Sequence, residues 1–74
     1  MTEKEARDVL DRLTKRQREV LDLIVEGHTS RQIAEKLGIK VSTVKTHRET
    51  IMLHCNARSA VQLTVLAARA GVLK

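Results

Sequence analysis

The chain contains no phenylalanine, tyrosine or tryptophan, no proline, one cysteine and three glycines. Without aromatic rings the core has to be built from Leu, Ile, Val and Ala, and 74 residues lie near the lower limit for folding without a metal or disulfides. The lone Cys55 excludes an intramolecular disulfide and suits a reducing cytosol. No signal segment or long apolar run occurs, so a cytoplasmic protein with no membrane contact is expected. There is no nucleophile–base constellation and no glycine-rich phosphate loop, so neither an enzyme nor a cofactor is expected. His47, His54 and Cys55 lie within two helical turns but lack a fourth ligand at a persuasive spacing, so no metal is expected. His47 reads as a partly buried helix residue and Cys55 as a small core residue.

Charge is unevenly distributed. Residues 1–26 carry six Lys/Arg against seven Asp/Glu, whereas residues 27–74 carry eight against two. The whole excess of the net +5 therefore lies in the second part, and a basic face of that kind attracts polyanions, nucleic acid first among them.

Four helix starts are written in the sequence. Thr2 precedes Glu5, Thr14 precedes Gln17, Thr29 precedes Gln32 and Ser59 precedes Gln62. Each pair has capping-box spacing, in which the hydroxyl accepts from the third helical N–H and the Glu or Gln reaches back. These boxes predict helices near 3–12, 15–26, 30–37 and 60–70. Gly27, Gly38 and Gly71 fall where three of them end. A fifth helix, from Val41 or Ser42 to His54, has no box. Helical stepping puts Val44, Ile51 and Cys55 on one side of it, flanked by His47 and Arg48. Ser42, Lys45, Thr46 and Glu49 lie opposite, with Leu53 further along.

Ala34, Gly38 and Val44 then have the spacing of a helix-turn-helix between Ser30 and Glu49. A small residue permits close approach, a glycine makes the left-handed turn, and a β-branched residue pins the second helix to the first. In that motif the polar face of the second helix enters the major groove. The final helix has two apolar faces: Leu63, Leu66, Ala67 and Ala70 on one, Val61, Val65 and Ala68 nearly opposite. The second face either packs against the N-terminal helix (Val9, Leu10, Leu13) or forms a two-fold dimer contact.

Several of these segments resemble the LuxR/FixJ-type, or GerE-type, DNA-binding domain of bacterial transcriptional regulators. They are Leu13 to Leu21 (LTKRQREVL), Ile33-Ala34, Leu37-Gly38-Ile39, Thr43-Val44-Lys45-Thr46-His47 and Arg58-Ser59, and the likeness spans roughly residues 13–70. The resemblance implies an all-α fold: a four-helix domain over 13–74 with a central helix-turn-helix, preceded by a linker helix over 1–12. It implies double-stranded DNA as ligand, a homodimer through the last helix via Val61, Val65 and Ala68, and RNA polymerase as a further partner. Lys45 and Thr46 would meet base edges, with Ser42 and Glu49 completing the base-reading set. Ser30, Arg31, Thr43 and Arg48 would meet phosphates. Lysine suits guanine O6 or N7, and a threonine methyl suits thymine; hydroxyls and a helix N-terminus suit phosphate.

The chain departs from that pattern in places. Lys40 stands where the family usually caps the recognition helix with Ser or Thr, so Ser42 is expected to cap instead and start the helix two residues late, or water caps it. Glu49 stands where a polar or basic residue is common. It would repel phosphate or accept from a cytosine amine, and its favoured role is indirect, orienting Lys45 four residues earlier or the neighbours of Arg48. Gln17 replaces a common glutamate, and Leu53 replaces a frequent basic or small residue. Two other readings remain: sigma factor region 4, which RQREVLDLI and IAEKLGIKVSTVK also resemble, and a protein-interaction module that keeps the fold without DNA binding.

Overall fold

The structure, a computed structural model, describes residues 1–72. Within them the chain forms α1 (Glu3–Asp11), α2 (Lys15–Val25), α3 (Ser30–Leu37), α4 (Val41–His54) and α5 (Ala60–Arg69), with no strand. The all-α fold is as read from the sequence.

The capping chemistry explains most of the boundaries. Thr2, Thr14 and Thr29 each accept from the N–H three residues on, at 3.1–3.2 Å, and Glu5, Gln17 and Gln32 return the bond at 2.9–3.4 Å. The fourth box closes differently. Ser59 Oγ accepts from the Gln62 N–H at 3.3 Å, but Gln62 Oε1 accepts from the Arg58 N–H at 2.6 Å instead of from Ser59.

Of the two starts expected for α4, the structure has the earlier one, without Ser42 as its cap. It begins at Val41 with Lys40 as an extended N-cap whose side chain makes no capping bond. Ser42 is inside the helix and caps nothing; its carbonyl accepts the Thr46 hydroxyl at 3.1 Å. At the other end, Asn56 takes a left-handed conformation at φ 51°. Its N–H reaches Leu53 O at 3.2 Å and the Ala57 N–H reaches Met52 O at 2.8 Å, which closes the helix and turns the chain toward α5. Asparagine is the usual alternative to glycine at such a position.

The core is aliphatic throughout, as the lack of rings requires. Ala6 and Leu10 of α1, Val20, Leu21 and Ile24 of α2, Ile33 and Ala34 of α3, Val44 and Ile51 of α4, and Leu63 and Leu66 of α5 form one cluster. No polar or charged residue is buried among the described residues. α1 docks on α5 through this cluster, and His54 Nε2 at the end of α4 lies 3.1 Å from the Val9 carbonyl oxygen. The alternative in which α1 covers the second apolar face of α5 fails. Val61, Val65 and Ala68 remain exposed, while Leu63, Leu66, Ala67 and Ala70 face the core.

Candidate nucleic-acid interface

The helix-turn-helix pivots on Gly38. Its φ of 67° and ψ of 36° are left-handed, and the Ile39 N–H behind it bonds Ala34 O at 3.1 Å. A side chain at residue 38 would strain this turn. Ala34 and Val44, the other two residues of the spacing pattern, are 5% and 0% exposed. Val44 and Ile51 hold α4 by one side, and each such side chain taken fully from water contributes about 1.5–3 kcal/mol.

What that anchoring leaves outward is a polar stripe. With about 100° between successive residues, Ser42, Lys45, Thr46, Glu49 and Leu53 fall within a sector of about 100°, nearly opposite the buried pair. All five are exposed. Thr43, exposed, and Arg48, half-buried, stand on the two shoulders of the sector. Thr46 donates its hydroxyl to the Ser42 carbonyl at 3.1 Å, and Thr50 donates to the Thr46 carbonyl at 3.1 Å. The Thr46 oxygen is thereby tied to the helix and its methyl is left to the surface.

Lys45 and Glu49 do not form the pair expected of them; no ion pair or hydrogen bond joins them among the described residues. Lysine preceding glutamate by four residues is the weaker order for a helical pair, which gives the physical reason. Beyond Glu49 the stripe runs into a groove of about 540 Å³ lined by Lys45, Arg48, Glu49, Met52, Leu53 and Ala57. Leu53 is 83% exposed there. The sequence located Leu53 on this face but did not disclose the groove, whose lining includes Ala57, just past the left-handed turn at Asn56.

At the start of α3, Ser30 is half-buried and Arg31 exposed. Helix N-termini carry first-turn N–H groups without helical partners and a partial positive charge. Among the described residues the ion pairs are all elsewhere: Arg7–Glu3 at 3.0 Å, Arg16–Glu19 at 3.0 Å and Arg18–Asp22 at 3.4 Å, with the His28 ring Nε2 also 3.3 Å from Glu26 Oε2. Arg31, Lys40, Lys45 and Arg48 make none among the described residues, so their charge is not neutralised within the domain.

His47, His54 and Cys55 do not converge, and among the described residues no three potential metal ligands do. Cys55 packs half-buried against the core, and that burial pushes its thiol above its ordinary range, away from the reactive thiolate. Among the described residues no helix is long and apolar enough to cross a membrane.

Two helices joined by a left-handed glycine, the second anchored by one face and polar on the other, make this a helix-turn-helix protein of the DNA-reading kind. The family model for bacterial regulatory proteins of the LuxR family matches residues 11–67, and the chain belongs to that family, as its DNA-binding domain. The chain is 41% identical over 69 residues to an uncharacterized transcriptional regulatory protein, YxjL, of Bacillus subtilis; the match takes in 93% of this chain and 32% of YxjL. It superposes on the response regulator StyR with a TM-score of 0.84 at 38% identity, over 89% of this chain and 33% of that one. On full-length FixJ from B. japonicum the TM-score is 0.89 at 28% identity, over 97% and 36%. The chain thus spans about a third of the length of these relatives. Membership of the LuxR family favours that reading over sigma factor region 4.

Proposed function

We propose that this chain reads double-stranded DNA as a homodimer, with the outward stripe of α4 in the major groove and α5 of one copy against α5 of the other. The observation that carries the reading is the stripe itself: exposed Ser42, Lys45, Thr46 and Glu49, backed by fully buried Val44 and Ile51. Lys45 and Thr46 are the central base readers, Lys45 toward guanine O6 or N7 and the Thr46 methyl toward thymine, with Ser42 beside them. Thr43 and Arg48 on the shoulders, and Ser30 and Arg31 at the start of α3, meet the phosphates.

The dimer reading is supported by the exposed apolar row on α5, where Val61 is 71% and Val65 45% exposed. A two-fold axis there would pair each row with its copy. Residues 1–12 serve as the linker helix, docked through Ala6 and Leu10. No described surface singles out RNA polymerase as a partner.

The test is DNA binding with particle size measured alongside. Lys45→Ala is expected to weaken binding to a selected sequence by about 1–3 kcal/mol while sparing unrelated duplexes. Equal loss on every sequence would reassign Lys45 to phosphate. Val65→Glu is expected to give a folded monomer, and unfolding would show that this face belongs to the core. A chain that binds no duplex at any salt concentration is a protein-interaction module.

A further inference from the structure

Glu49 is the one acid on the outward stripe of α4. It lies about 10° from the midline between Lys45 and Thr46, at the centre of the sector and away from the shoulders where Thr43 and Arg48 stand. A helix seated in the major groove presents its shoulders to the phosphate walls and its midline to the base edges. In that docking the Glu49 carboxylate would face the bases. It is exposed and has no ion pair or hydrogen bond among the described residues. The nearby hydroxyls donate elsewhere, Thr46 to Ser42 O and Thr50 to Thr46 O.

A carboxylate only accepts hydrogen bonds. Placed against a polyanion it weakens binding to every sequence unless a donor meets it. The major groove offers two base donors, the N4 amine of cytosine and the N6 amine of adenine. On adenine the amine adjoins the N7 acceptor, which would face the second carboxylate oxygen. Cytosine has no acceptor on its own major-groove edge, so the carboxylate is matched by cytosine and opposed by adenine, and opposed by the O6 and N7 acceptors of guanine. Glu49 also stands four residues beyond Lys45, about 6 Å along the helix axis, or roughly two base-pair steps at about 3.4 Å each.

We propose that Glu49 is a specificity-determining residue that accepts from the N4 amine of a cytosine about two base pairs from the guanine met by Lys45. This rests on the DNA-reading function proposed above, and names the base chemistry its site selects.

Selection from a randomised duplex library, with this chain and its Glu49→Gln, Glu49→Ala and Lys45→Ala variants, tests it. The parent is expected to fix a cytosine about two base pairs from the guanine whose selection Lys45→Ala abolishes. Glu49→Gln should move that position to adenine, because a glutamine amide matches the N6/N7 pair, leaving flanking positions unchanged. On the parent's preferred duplex it should lose roughly 5- to 150-fold in affinity. Glu49→Ala should accept any base there and bind unrelated duplexes more tightly than the parent.

Should both Glu49 variants select the parent's sequence and merely bind all DNA more tightly, Glu49 is a repelling surface charge and the inference is overturned while DNA reading stands. Loss of helical circular dichroism in both variants would make Glu49 structural and overturn it equally. A parent that enriches no sequence overturns the DNA-reading function, and this inference with it.

Discussion

In α1 and α2, Arg7 reaches Glu3, Arg16 reaches Glu19 and Arg18 reaches Asp22. From the start of α3 to the end of α5, Arg31, Lys36, Lys40, Lys45, Arg48, Arg58 and Arg69 pair with nothing among the described residues. The contrast is not one of stability, since exposed pairs of this kind contribute only about 0–1 kcal/mol each. It is one of charge disposal. The first two helices pair three of their five cations and carry six acids, while the last three pair no cation and leave that charge outside, where a polyanion meets it. Capping divides the helices differently: α1, α2 and α3 open on reciprocal boxes, and α4 opens on Lys40 with no side-chain bond. What α4 lacks in local closure it draws from burial of Val44 and Ile51.

If the two regions share one core, the largest effects must be equal across the divide. Ile51→Ala in α4 and Leu21→Ala in α2 remove side chains that are 0% and 1% exposed. Each is expected to cost about 2–5 kcal/mol and to leave a single unfolding transition in urea. A second transition in either variant would break the molecule into independent halves. A smaller effect sharpens the capping contrast: Lys40→Asn is expected to stabilise by about 0.5–2 kcal/mol, and Thr29→Ala to destabilise by a similar amount. An unchanged midpoint for Lys40→Asn would mean that water already closes α4 as well as a side chain does. Smallest of all, Arg16→Ala should shift stability by less than about 1 kcal/mol, because both partners of its pair are substantially exposed.

The difference in capping explains how much of the fold is legible in the sequence. Boxes at Thr2, Thr14 and Thr29 work at a fixed offset through local hydrogen bonds, so the sequence discloses them directly. The left-handed turn at Gly38 is legible for the same reason, and the two faces of α4 follow from helical periodicity. Reading by caps leaves the start of α4 open between Val41 and Ser42 because the capping residue, Lys40, has no acceptor, and the nearest hydroxyl, Ser42, is already helical. At Ser59 the offset was right, but Gln62 had a second N–H within reach, that of Arg58. Which element covers an apolar face is a tertiary matter: nothing in the spacing of Val61, Val65 and Ala68 says that α1 docks on the other side of α5. The solitary state of Glu49 was hidden by a four-residue spacing that suits a pair but runs in the weaker order.

Salt dependence of DNA binding tests the central claim most directly, because it counts the cations a duplex recruits. For the parent chain, the logarithm of the binding constant should fall linearly with the logarithm of salt concentration, by about 0.9 per phosphate neutralised. Arg48→Ala, which removes a cation left unpaired on the shoulder of α4, should reduce that slope by roughly 1. Arg16→Ala, which removes a cation already paired with Glu19, should leave it unchanged. Equal slopes for the parent and Arg48→Ala, or a larger loss from Arg16→Ala, would contradict the account.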